Sequence, residues 1–402
     1  MAKTYGVPYM GSKNKIAKWL VDKLPPSEVF VDIFAGGCAV THAAIESGKY
    51  QEYIVNDIGD APNIFIDSIN GNYKNETRWI SREDFEKLKD VNLYVKYCWS
   101  FGNTGQTYLY GKELEPWKKA LHYARVFGDF SLLKDMGIDT TDASRQWVKD
   151  HENDVKQAYI KWYMLKYFNV TMTPDEYGKT LEADIKAERE RLRQYLRASL
   201  EQAGLKQSDV DKRLGTHMAG HYFGKSQWEF PTREEYNKMS EFMPLNPYDE
   251  VYGTSSPLQA MQSLQNLQNL PNLGRLQSLE SLGRLERLQS MERLQSQQQS
   301  ITVTHKDYRE VQHERASFYY ADPPYRGTKG YGQEFDFDAF DEWLETVDKP
   351  VIVSEYTQPQ HTVEVASIEK RVLLDTKNSS KKTERLFIQD RFYEWYKEAM
   401  KL

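Results

Sequence analysis

Between Glu28 and Gly59 the chain reads EVFVDIFAGGCAVTHAAIESGKYQEYIVNDIG, and this stretch constrains the fold more than any other. A short apolar run, Glu28–Phe34, ends in the pair Gly36-Gly37. The next segment, AVTHAAIESG, has the pattern of a helix closed by a glycine. Glu52–Gly59 then reads as a second strand that ends in an acid. Strand, glycine turn, helix and acid-tipped strand form the mononucleotide-binding unit of an α/β fold. The glycines let the backbone approach a ligand, and Asp57 lies 21 residues beyond Gly36, a spacing that suits an acid reaching ribose hydroxyls. By this reading the ligand is a nucleotide or S-adenosylmethionine. A P-loop is excluded, because GxxxxGK[ST] does not occur.

The α/β pattern breaks off and returns. From about residue 75 to 257 the chain is polar, aromatic-rich and helical in pattern, without strand–helix alternation. Strand-like runs reappear at Ser300–Val311, Ser317–Ala321, Pro350–Tyr356 and Glu384–Arg391. A sheet begun at one end of the chain and completed at the other implies an inserted domain, for which 402 residues leave room. Between Leu258 and Leu294 a Leu or Met recurs every third residue. On an α-helix each such step drifts by about 60° around the axis, so no stripe forms. The expectation here is a low-complexity loop without chemistry, with self-association as the alternative.

The stretch SFYYADPPYRG (Ser317–Gly327) places an acid, two prolines and a tyrosine directly behind a strand. Each proline lacks the N–H that a sheet ladder needs, so the strand must stop at Asp322 and the chain must turn outward. A stiff loop at the carboxyl end of a strand is where α/β sheets bind ligands. Held rigid, the Asp322 carboxylate and the Pro323 carbonyl can both accept hydrogen bonds from one exocyclic amino group. Tyr325 can stack on the ring that bears it. An ordinary proline turn after a strand is the plainer reading of the same residues.

Together ADPPY, DIFAGG, VNDIG and the N-terminal PYMGSKNKIAKWL resemble the Dam-like, phage-type DNA adenine-N6 methyltransferases. The resemblance covers about residues 5–70 and 300–390, and more loosely Trp99–Gly111. It implies an α/β fold: a Rossmann-like, S-adenosylmethionine-dependent methyltransferase sheet with a large, mostly helical inserted target-recognition domain. Residues 1–74 and 300–402 would form the catalytic domain, 75–257 the insertion and 258–299 the loop. The implied reaction moves a methyl group from S-adenosylmethionine, leaving S-adenosylhomocysteine, to N6 of an adenine flipped out of double-stranded DNA. No metal is needed for it.

Carried over residue by residue, the resemblance implies that Tyr9 and Lys13 contact the cofactor from the N-terminal motif. Gly36 and Gly37 would line its methionine end, Asp32 and Phe34 would also belong to the cofactor site, and Asp57 would hold the ribose. Asp322 would touch both the cofactor region and the adenine amino group, with Pro323, Pro324 and Tyr325 completing the pocket. Two departures stand out: Cys38 replaces a third glycine common in such enzymes, and Asp32 stands where they often carry Glu. The resemblance further implies a phage or bacterial source, action in a bacterial cytoplasm, and a cognate restriction endonuclease as a partner of some such enzymes. Related pockets serve other substrates. Enzymes acting on RNA or protein glutamine usually show Asn at the position of Asp322, and cytosine-N4 enzymes more often Ser. A DNA-binding protein that keeps the fold but no longer methylates is an alternative of a different class, left open by Cys38.

The remaining features discriminate less. A net charge of −6 argues mildly against nucleic-acid binding, although Lys186–Arg197 and Lys377–Arg385 are locally positive. Met1–Lys15 is polar and basic, without the apolar core of a signal peptide, and no apolar run approaches membrane-spanning length. Two cysteines, Cys38 and Cys98, make no disulfide framework and suit a reducing compartment. His217 and His221 have helical metal-ligand spacing but lack the Glu of HExxH. Tyr97, Trp99, Phe101, Tyr108 and Tyr110 are either base-stacking residues or core.

Overall fold

Seven strands make one sheet in the computed structural model of the chain: β1 (Val29–Asp32), β2 (Glu52–Asn56), β3 (Ile301–Thr304), β4 (Tyr319–Ala321), β5 (Val351–Glu355), β6 (Thr362–Leu373) and β7 (Ser379–Gln389). The structure describes residues 4–141, 144, 152–224, 228–252, 260, 261, 263–265, 267, 280–326, 335–373 and 379–402. The strand order is β3-β2-β1-β4-β5-β7-β6. β1 to β5 run parallel, and β7 is antiparallel to both β5 and β6. This is the α/β, Rossmann-like methyltransferase sheet expected from the motifs. β6 is the one strand the sequence patterns did not announce. Its alternation is broken by a bulge between Glu364 and Ala366.

The central strands are apolar throughout because both sheet faces are covered. All four residues of β1 and all five of β5 are buried. Val29, Val31, Val351 and Val353 share a core with Phe340 and Leu344 of the helix Phe337–Thr346. Asp336 caps that helix by accepting from the Ala339 N–H at 2.9 Å. Helix α1 (Ala17–Asp22) begins inside the N-terminal motif. Helix α2 (Ala39–Ser47) ends at Gly48 in the left-handed conformation, as its glycine stop predicted.

The chain divides into two compact units, Met1–Tyr110 with Leu279–Leu402, and Gly111–Ser278. Residues 75–110, expected in the insertion, therefore belong to the unit that holds the sheet. They form α4 (Arg82–Leu88) and α5 (Leu93–Cys98), which follow α3 (Ala61–Ile69). Tyr97, Trp99, Tyr108 and Tyr110 are buried there, and Phe101 alone of the five aromatics is exposed. The reason is packing: Trp79, Trp99, Tyr108 and Tyr110 form a contiguous ring cluster.

The second unit is helical around Leu192, Leu196, Tyr222, Phe223, Tyr236 and Met239. Its longest described helix, Glu182–Gln202, carries the basic run, three of whose arginines have local partners. Arg191 donates to the Val251 carbonyl at 2.8 Å, Arg197 to that of Phe223 at 2.5 Å, and Arg193 pairs with Glu190. His217 lies outside the short helix Ala219–Phe223 that carries His221, so the two do not share a helix face. Part of the second basic run, Lys377 and Asn378, lies outside the described residues. Among the described residues no helix is long and apolar enough to cross a membrane.

The passive loop expected over 258–299 does not fit its C-terminal half. Residues 268–279 lie outside the described residues, but Glu280–Gln289 is an α-helix and Ser290–Ser300 a 3₁₀-helix. A 3₁₀-helix has three residues per turn, so a period of three stacks its side chains into one stripe. Leu285, Leu288, Met291 and Leu294 are all buried, and this helical pair packs against α3 and α5. The leucine spacing is a packing pattern after all.

Candidate active site

Four of the parallel strands end in or just before an acid. Asp32 closes β1, Asp57 follows β2, Asp322 follows β4 and Glu355 closes β5. The strand order reverses between β1 and its neighbours β2 and β4, which opens a crevice at their carboxyl ends. A cavity of about 740 Å³ lies there, lined among others by Tyr9, Lys13, Asp32, Phe34, Gly36, Gly37, Asp57, Asp322, Pro323 and Pro324. Of the residues that the resemblance assigned to the cofactor and adenine pocket, Tyr325 alone does not line it.

The glycine turn is shaped by close approach. A Cβ on Gly36 would lie 2.8 Å from the Tyr9 ring, and one on Gly37 2.5 Å from Tyr9 Cβ. Asp57 braces the turn, accepting from the Gly36 N–H at 2.7 Å and the Gly59 N–H at 2.8 Å. Cys38 caps α2 at φ 56°, a left-handed conformation that explains why glycine suits this position. For a residue with a Cβ that geometry costs about 1–2 kcal/mol. The thiol is fully buried and does not line the cavity, so it does not obstruct a ligand.

Around Asp322 the site is charged and closed. The Lys13 ammonium pairs with Asp322 at 2.7 Å, lies 4.3 Å from the centre of the Tyr325 ring, and has Glu384 at 3.8 Å. Glu384, on β7 and wholly buried, accepts from Ser354 Oγ at 2.7 Å and from the Tyr325 hydroxyl. The Tyr325 ring meets Tyr356 edge-on at 4.2 Å. Glu355 fastens the loop by accepting from the N–H of Arg326 and of Tyr356, each at 2.8 Å. Burial pushes its carboxyl up to about 7. Sequence reasoning missed Glu384, although an acid opening the apolar run ERLFIQ was a visible signal of a buried charge. Thr41, whose hydroxyl donates to Asp32 at 2.7 Å, gave no such signal.

Burial pushes the Asp32 carboxyl up to about 7, with Asp322 and Asp57 adding and Thr41 opposing. Its second oxygen is buried without a hydrogen-bond partner among the described residues. A carboxyl raised in the folded state contributes stability that is complete below its unfolded value and lost as pH rises through about 7. Asp32→Asn, which keeps an acceptor for Thr41, should therefore stabilise the ligand-free protein. The gain is on the order of 1–3 kcal/mol at about pH 8, shrinking towards about pH 4. Urea midpoints across that range check the trend. A pH-independent difference between the two proteins would refute the assignment of Asp32.

The site is thus a glycine-braced crevice at the switch point of a Rossmann-like methyltransferase sheet, walled by carboxylates. Residues 9–126 match the model of the D12 class N6 adenine-specific DNA methyltransferase family. The likeness seen in the motifs is thus borne out over that stretch, and adenine-N6 methylation of DNA is the class of activity it supports. The matched residues contain the N-terminal motif, the glycine turn and Asp57, and end before Asp322. No curated protein matches the chain.

Proposed function

We propose that the protein is an S-adenosylmethionine-dependent methyltransferase that acts on N6 of an adenine flipped out of double-stranded DNA. The observation that carries the reading is the position of Asp322. It opens onto the same cavity as Gly36, Gly37 and Asp57, although it lies far along the chain from them. The cofactor supplies an electrophilic methyl group when bound, and the residues present fit it. Gly36 and Gly37 allow close backbone approach, Asp57 stands at the β2 end, and Asp32, one of whose buried oxygens has no hydrogen-bond partner among the described residues, also lines the cavity.

What the chain does is position and polarise. Asp322 accepts a hydrogen bond from the adenine amino group, which turns the nitrogen lone pair towards the methyl group. Pro323 and Pro324 hold that carboxylate still. Tyr325 offers a ring for the flipped base once the Lys13 ammonium moves off its face. The helical unit Gly111–Ser278 is the part we assign to target recognition, by phosphate and major-groove contacts. On this reading the protein works where DNA is, in a bacterial cytoplasm.

The test is mass spectrometry of nucleosides from unmethylated genomic DNA incubated with the protein and S-adenosylmethionine. New N6-methyladenine is expected. No methylated nucleoside, from protein that binds S-adenosylhomocysteine, would move the assignment to RNA, protein or a silent DNA-binding role.

A further inference from the structure

The helical half of the leucine tract holds the backbone of two other segments of the same unit. In GRLERLQSMERL (Gly283–Leu294), Arg284, Arg287 and Arg293 each precede a buried leucine. Arg287 donates from Nε to the Gly6 carbonyl at 2.5 Å and from Nη2 to that of Tyr5. One turn earlier, Arg284 donates to the carbonyls of Cys98 and Ser100, at 2.9 and 2.8 Å.

Tyr5–Met10 is neither helix nor strand, so its polar backbone groups must find partners elsewhere. Gly6 N–H donates to His42 Nδ1 at 3.0 Å, and Val7 N–H to the Gly37 carbonyl at 2.8 Å. A Cβ on Gly6 would come within 2.2 Å of that same carbonyl oxygen. The segment is thus wedged between the glycine turn on one side and the Arg287 guanidinium on the other. Tyr9, packed on Gly36 and Gly37, and Lys13, paired with Asp322, follow directly.

We propose that Arg287 is a positioning residue for cofactor binding. By gripping two successive carbonyls it presses Tyr5–Val7 onto the glycine turn and so sets Tyr9 and Lys13 at the cavity. The inference rests on the reading of that cavity as a site for S-adenosylmethionine. A rigid guanidinium fork suits two adjacent acceptors, whereas an ammonium is a single point of contact. The leucine tract then has a role: its buried stripe anchors the helix from which Arg287 reaches.

The experiment compares Arg287→Met, Arg287→Lys and Arg284→Met with the wild type. Arg284→Met removes the same number of carbonyl contacts from the same helix but leaves Tyr5 and Gly6 alone. Calorimetry with S-adenosylhomocysteine should give a dissociation constant raised by about tenfold or more in Arg287→Met. Arg287→Lys should fall between, and Arg284→Met should match the wild type. Hydrogen exchange of the peptide spanning Tyr5–Lys13, measured without ligand, should speed up in Arg287→Met, less in Arg287→Lys, and not in Arg284→Met. Unchanged exchange and affinity in Arg287→Met, or equal losses in Arg284→Met, would overturn the proposal. If the wild type bound no S-adenosylhomocysteine, the reading of the cavity would fail. The positioning of Tyr5–Lys13 by Arg287 would then be judged on exchange alone.

Discussion

Replacing Asp322 by Ala is expected to abolish methyl transfer, by on the order of 10³-fold or more, in a protein that still unfolds cooperatively and still binds S-adenosylhomocysteine. The size follows from what alanine takes away. On the proposed reading Asp322 is the carboxylate that meets the target amino group, and two nearby acids among the described residues are already engaged. Glu384 is engaged by Ser354 and Tyr325, and Glu355 by the N–H groups of Arg326 and Tyr356. Asp322→Asn should cost less, because an amide oxygen still accepts. Its loss isolates the charge that now holds Lys13 at 2.7 Å. Initial rates with tritiated S-adenosylmethionine, set beside thermal unfolding and ligand affinity, separate the cases. Turnover in Asp322→Ala within tenfold of the wild type would remove Asp322 from the reaction. Loss of ligand binding instead of turnover would make it a cofactor residue.

The residues legible in the sequence were those whose backbone has a local reason to be special. Gly36 and Gly37 announce a turn, Pro323 and Pro324 end a strand, and Asp57 sits at a strand end with a spacing that means something. These local rules pointed to residues that line one crevice, because strand order in a doubly wound sheet leaves few places for a cavity of that kind. What stayed hidden depends on residues meeting from distant segments. Glu384 comes to Lys13 and Tyr325 only because β7 inserts antiparallel beside β5, and no pattern within β7 states that partner. Arg287 is hidden for the same reason, 281 residues from the carbonyl of Gly6. The leucine tract misled for a different one. A period of three argues against an α-helix, and 3₁₀ runs as long as Ser290–Ser300 are uncommon, so the sequence pattern favoured a loop.

The second large effect expected is on Glu384. A carboxylate with no solvent exposure is tolerable only while its acceptor sites are filled and a cation is near. Here Ser354, the Tyr325 hydroxyl and, at 3.8 Å, the Lys13 ammonium meet those needs. Burial raises the Tyr325 phenol well above its ordinary pKa, so that hydroxyl keeps its proton and donates. Glu384→Ala strands two buried donors and removes the second carboxylate beside Lys13, a loss of about 3–5 kcal/mol for a broken buried charge network. Urea denaturation should show it as a lower midpoint with an unchanged slope. Glu384→Gln keeps an oxygen for Ser354 and Tyr325 and should recover most of that stability. Methyl transfer should nonetheless stay about tenfold or more below the wild type, since a neutral amide no longer offers Lys13 an alternative to Asp322. On the proposed reading the base would use Asp322 and the Tyr325 face only when the ammonium gives way, and Glu384, 3.8 Å from it, would be the charge that receives it. If Glu384→Gln methylated DNA at the wild-type rate, Glu384 would be a structural acid alone and Lys13 would need some other way to clear the pocket.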